Sequence, residues 1–182
     1  MFDTLIRGGW IVDGSGNAPF RGDLALRDGM IAAMGNLHGA PAKTVLDAAG
    51  RTVVPGFIAV NQTPDAALLL RGVTTVLCEE AGTLLPVNVG RIADWDAPEV
   101  DLTRLLSRFC AGTISVQTLV RRAAVQAELP GKGRLLPGFA ADVAVFELSG
   151  GRFCVDAVFV NGQAAVLGGV PTGVQAGKLL TK

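Results

Sequence analysis

Three short stretches of this 182-residue chain hold side chains that could do chemistry. Asn61-Gln62-Thr63 ends the apolar run Val54 to Val60, and Cys78-Glu79-Glu80 ends a β-branched run that begins at Val73. Functional groups gather at the carboxyl ends of strands in parallel sheets, so both stretches are candidate binding positions. A thiol beside two carboxylates is held in its neutral form, which speaks against Cys78 as a nucleophile unless a metal intervenes. His38 is the only histidine, so any Ser-His or Cys-His relay would have to run through it. It stands in GNLHGAPAK, a Gly/Pro loop with no nucleophile near in sequence, and reads as an exposed loop residue. The binding candidates are therefore Asn61, Gln62, Cys78 and Glu79, and no residue is assigned a catalytic role.

Two glycine-rich pieces fail as phosphate loops. Asp13-Gly-Ser-Gly16 has Pro19 where GxGxxG needs its third glycine, and it reads as a turn. Gly173 to Lys178 would need glycine at Thr172 and a hydroxyl at Leu179 to hold magnesium.

The elements that position these residues fall into two styles. Residues 1 to 57 and 134 to 167 read as short strands broken by glycine, with Gly8-Gly9, Asp28-Gly29 and Asn161-Gly162 as turn signals. Strands at both ends enclosing a different middle predict one sheet system shared by the two ends. In the middle, Thr63 as N-cap, Pro64 at the first position and Gly72 beyond the end predict a short helix over 64 to 71. With the strands on either side, 57 to 61 and 73 to 78, this makes a strand-helix-strand unit whose strands are parallel. Asp101 and Ser115 each precede an i, i+3, i+4, i+7 apolar stripe and predict two capped amphipathic helices. Arg104, Arg108, Arg121 and Arg122 lie mostly off those stripes, as residues of solvated helix faces do. Residues 82 to 100 read as loop.

Composition narrows the function. Lys+Arg and Asp+Glu are both 16, so no net field favours nucleic acid or an anionic membrane as partner. Apolar residues make up 49% and glycines number 24, a surplus that belongs to a core or an interface. No uncharged apolar stretch is long enough to span a bilayer. Three cysteines without CxxC spacing fit thiols in a reducing compartment, which predicts a cytoplasmic protein.

Taken in order, DTLIRGGWIVDGSG, GDLALRDGMIAAMG, VLDAAGRTVVPGFI, GRLLPGFAADVAVFE and VDAVFVNG resemble the amidohydrolase superfamily. DGSG, RGVTTVLCEEAG and PTGVQAGKLL narrow the resemblance to the N-acyl-D-amino-acid deacylases (D-aminoacylases). It implies a β-sandwich built jointly by both chain ends and a (β/α)8 barrel holding one or two metal ions that activate water. It also implies PGFID and a His-x-His pair on the first barrel strand, where this chain has Ala59, Asn61 and Thr63. A ligating Cys expected after the VTTV strand aligns with Ala81, so Cys78 does not inherit that role. Amide and hydroxyl oxygens are poor zinc ligands beside imidazole, and no metal ligand is assigned. Only 76 residues run from Phe57 to Lys132, against about 200 to 250 for a complete barrel.

The expected architecture is thus α+β. Residues 1–57 and 134–182 would form the composite sandwich, and 58–133 a truncated β-α-β barrel remnant with one or two amphipathic helices. The expected role is a catalytically degenerate scaffold or subunit, a homo-oligomer or one covered by a protein partner over the open parallel strands, with no cofactor. Two alternatives stand beside it. One is a zinc-dependent hydrolase of non-peptide C–N bonds, such as those of N-acyl-D-amino acids, with its site completed by an oligomer. The other is a small-molecule binding module at Asn61, Gln62, Cys78 and Glu79.

Overall fold

Alternating apolar residues and glycine turns build the amino-terminal arm. In the computed structural model, which describes residues 1–79, 85–95 and 97–181, this arm holds β1 (Phe2–Ile11), β2 (Phe20–Arg27), β3 (Met30–Gly35), β4 (Ala42–Asp47) and β5 (Thr52–Pro55). The β2–β3 hairpin turns on Asp28-Gly29, both at positive φ (52° and 77°), as a two-residue reverse turn requires. Gly8-Gly9, expected as a turn, does not reverse the chain. Leu5, Ile6 and Ile11 are all buried and keep β1 in one sheet, so Gly8 forms a bulge at φ 69° whose amide donates to Asp23 Oδ1 at 2.8 Å. At the start of β1, Asp3 pairs with Lys43 of β4 at 2.7 Å. That contact, together with the Asp28 amide, holds the Asp3 carboxyl below its usual range.

The middle carries β6 (Phe57–Val60), β7 (Val73–Cys78) and β8 (Asn88–Arg91). Helix α1 (Leu102–Cys110) and α2 (Val116–Val120) follow, and α2 runs on into a π-helical turn, Arg121–Val125. The carboxyl-terminal arm holds β9 (Val143–Ser149), β10 (Arg152–Val160), β11 (Gln163–Leu167), β12 (Val170–Pro171) and β13 (Leu179–Leu180).

Two sheets result. The larger has nine strands in the order β12-β11-β10-β9-β5-β1-β2-β3, with β4 also paired to β1. The two arms meet inside it, because β5 pairs antiparallel with β9, Thr52 opposite Phe146 and Pro55 opposite Val143. The smaller sheet, β13-β8-β7-β6, is parallel throughout. The architecture is α+β, mostly sheet with few helices, as the sequence predicts.

Three features of the middle differ from expectation. The parallel sheet has four strands among the described residues rather than two, since β8 lies within the segment read as loop and the tail supplies β13. Asn88 interrupts the apolar pattern of β8, which hid the strand, although Val87 and Val89 beside it are buried. The turn after β6 is a 3-10 helix, Ala66–Arg71, capped by Asp65 rather than Thr63: Asp65 Oδ1 accepts from the Ala67 amide at 3.0 Å. Gly72 closes it at φ 78°, as expected.

Both predicted helix caps are in place. Asp101 Oδ1 accepts from the Arg104 amide at 2.9 Å, and Ser115 Oγ from the Thr118 amide at 3.2 Å. The stripe of α1 buries Leu102, Leu105 and Phe109, and the Phe109 ring meets Phe146 of β9 edge-on with centroids 5.8 Å apart. Phe146 in turn packs on Phe153 of β10 at 4.4 Å, so the helix is docked on the composite sheet. Asp101→Ala is expected to cost about 1 kcal/mol of stability in a urea melt, the usual value of a helix N-cap. Among the described residues no helix is long and apolar enough to cross a membrane.

Candidate functional site

The carboxyl ends of the parallel strands are where the sequence points. Strand β6 ends at Asn61, an exposed residue whose backbone turns left-handed at φ 55° and whose amide donates to the Leu77 carbonyl at 2.9 Å. Asparagine tolerates that conformation better than most residues, which suits it to ending a strand. Gln62 is half-buried and Thr63 exposed. Strand β7 ends at buried Cys78 and exposed Glu79. A cleft of about 490 Å³ opens there, lined by Cys78, Glu79, Arg91 and Asp94, with Leu180 and Thr181 of the tail on its other side.

The structure therefore brings Cys78 and Glu79 together and leaves Asn61 and Gln62 out of that lining. It adds Arg91 and Asp94, which fell in the segment expected to be loop. Glu80 and Ala81 lie outside the described residues. No disulfide joins the three cysteines. His38 is exposed on the β3–β4 connection of the composite sheet, so imidazole is not part of the cleft. No group of three His, Cys, Asp or Glu among the described residues is arranged to hold a metal ion. The donors at the end of β6, one amide and one hydroxyl, do not fit the zinc centre that the family resemblance implies.

A second polar cluster was not foreseen. Asn88 of β8, fully buried, donates from Nδ2 to the Thr74 carbonyl at 3.1 Å and to Asp142 Oδ2 at 3.0 Å. Lys132 Nζ donates to the same carboxylate oxygen, and the Asn161 amide donates to Asp142 Oδ1 at 2.8 Å. Asn161 Nδ2 donates to Asn88 Oδ1 at 2.7 Å and to the Ala176 carbonyl at 2.8 Å. The Lys178 amide also reaches Asn88 Oδ1, at 3.1 Å. The knot ties together both sheets, the segment before β9 and the tail. Its only signal in the sequence was polar residues beside apolar runs, as at Ala141-Asp142-Val143, and that pattern also fits a strand leaving the surface. The cluster is structural: both Asp142 carboxylate oxygens and both polar atoms of the Asn88 amide are hydrogen-bonded, as buried polar groups require.

No family model matches the chain. It is 52% identical over 56 residues to the N-acyl-D-glutamate deacylase of Alcaligenes xylosoxydans xylosoxydans, a match covering 31% of this chain and 12% of that protein. It is 41% identical over 93 residues to the D-aminoacylase of the same organism, covering 46% of this chain and 19% of that protein. The matched segments are thus a small part of these relatives. Among solved structures, the N-acyl-D-glutamate deacylase from Bordetella bronchiseptica, determined with zinc and a phosphonate inhibitor, superposes with a TM-score of 0.76. That alignment covers 98% of this chain and 99% of that one at 15% identity, and it speaks to the fold. Fold and sequence together define an amidohydrolase relative. Within that superfamily the matched segments are similar in kind to the D-aminoacylases and N-acyl-D-glutamate deacylases.

Proposed function

We propose that this chain is a catalytically degenerate D-aminoacylase relative that serves as a scaffold or subunit, associating with itself or with a protein partner. The composite sheet is its counterpart of the family's sandwich, built from residues 1–57 and 134–182 apart from β13, which joins the parallel sheet. Residues 58–133 carry the barrel remnant, completed as a parallel sheet by β13. The observation that carries this reading is the end of β6, where Asn61 and Thr63 stand in place of a His-x-His pair. Without imidazole at that edge the site lacks ligands that would leave zinc an open position and lower the pKa of a bound water. The association surface is the outer edge of β13, a parallel strand with no further neighbour in the sheet among the described residues and with Leu179 61% exposed. Such an edge offers unpaired backbone groups beside an apolar side chain.

Light scattering on the eluted protein should give a mass above that of the monomer, and metal analysis should show no stoichiometric zinc. A strict monomer would remove the self-associating form, and zinc at one per chain with turnover of N-acetyl-D-amino acids would return the chain to the hydrolases.

A second reading rests on the strand-end cleft, where Glu79 and Asp94 face the same space as Arg91. Both signs of charge in about 490 Å³ suit a small zwitterionic ligand. A copurifying small molecule in native mass spectrometry, lost on Arg91→Ala, is the result this reading requires.

A further inference from the structure

Five arginines collect on one flank of the helical layer. A cleft of about 870 Å³ lies between the Asp13–Gly16 turn and the π-helical turn, and among the described residues its lining includes Arg121, Arg122 and Arg134 with Glu128 as the one carboxylate. A second cleft, about 520 Å³, runs along α1 and includes Arg104 and Arg108 with Glu99 and Asp101. Arg122 and Gln126 line both, so the two make one furrow.

All five arginines are exposed, and among the described residues none forms an ion pair with a carboxylate. Asp101 already spends Oδ1 on the Arg104 amide as helix cap. Among the described residues the furrow therefore carries five cations against three carboxylates, in a chain whose overall charge is zero. Unpaired guanidinium forks are strong, directional donors to carboxylates. No aromatic side chain lines either cleft, so a nucleobase would find nothing to stack on. Gln117, Thr118 and Gln126 offer amide and hydroxyl groups to a peptide backbone, and Val120 and Leu105 give the floor an apolar strip.

We infer that this furrow binds an extended acidic peptide segment of a partner protein, its Asp and Glu side chains paired with the arginines. The inference extends the scaffold reading by naming the chemistry of a partner, and its test is separate from the oligomer mass. The probe is a fluorescein-labelled peptide of about ten residues alternating Glu and Ala, titrated with the full chain at low salt and read by anisotropy. Saturable binding is expected, weakening as salt rises, and Arg121→Glu with Arg122→Glu should weaken it about tenfold or more. Arg21→Glu with Arg27→Glu, both exposed on β2, should leave it within about twofold, with unchanged thermal melts for both pairs. The inference is overturned by any of three results: no saturation up to about 1 mM, equal weakening by the β2 pair, or tighter binding of single-stranded oligothymidylate than of the peptide. Light scattering on both double variants should give the parent's mass, so a failed peptide interaction is not mistaken for failed self-association.

Discussion

Asp142→Ala is expected to lower the unfolding free energy by about 3–5 kcal/mol, measured by urea denaturation. Asp142 is 4% exposed and receives three donors: Asn88 Nδ2, Lys132 Nζ and the Asn161 amide. Removing it leaves the Lys132 ammonium, its side chain 7% exposed, as an uncompensated buried charge, and orphans two neutral donors as well. Lys132→Met should be costly for the reciprocal reason, since it leaves the carboxylate with amide partners only. The double variant Asp142→Ala/Lys132→Met should cost clearly less than the sum of the two, because each single change is penalised by the partner it strands. Simple additivity, or a loss for Asp142→Ala below about 1 kcal/mol, would show that water reaches the pair and that the knot is not what joins the sheets.

Gly56→Ala comes second in size. Gly56 joins β5 of the composite sheet to β6 of the parallel sheet, and its amide donates to the Asp142 carbonyl at 2.9 Å. A β-carbon there would stand 2.1 Å from Thr74 Oγ1, 2.3 Å from Cγ2 and 2.7 Å from Cβ. The last of these atoms does not move when the Thr74 side chain rotates, and Thr74 is 1% exposed, so the strands themselves have to part. The expected loss is about 2–3 kcal/mol or more, read as a lowered calorimetric transition. Thr74→Ala should restore part of it, because it removes two of the three close atoms and leaves the third. Full restoration, or no loss at all, would mean that β6 and β7 slide more freely than their register implies.

How far the sequence could be read depends on how local the determining contacts are. The Asp28-Gly29 and Asn161-Gly162 turns, the Asp101 and Ser115 caps and the Gly72 stop were legible because each is decided within four or five residues. The pairing of the two arms was legible because both share a strand pattern and the middle does not. Strand β8 was not, because its Asn88 is buried for the sake of Asp142 and Asn161, which are far from it in the chain. Gly8 was misread because a positive φ serves a bulge as well as a turn, and buried neighbours on both sides decide between them. At the candidate site, Cys78 and Glu79 were found from their place at a strand end. Their companions Arg91 and Asp94 depend on β8 and so were missed with it. Asn61 and Gln62 stand at a strand end just as Cys78 does. The left-handed turn at Asn61 ends β6 outside the lining of the cleft.

The strand pairing also governs how this chain acquires its structure. Thr52 waits for Phe146 and Val89 waits for Leu179, so neither sheet can be completed from neighbouring segments. Loop-closure entropy is lost before such contacts form, which places folding among the slow β-rich topologies, milliseconds to seconds rather than microseconds. During synthesis β5 emerges long before β9 and β8 long before β13, each with an unsatisfied edge. Unpaired edges of this kind are where a folding chain aggregates, so the interval before the arms meet is its most exposed stage.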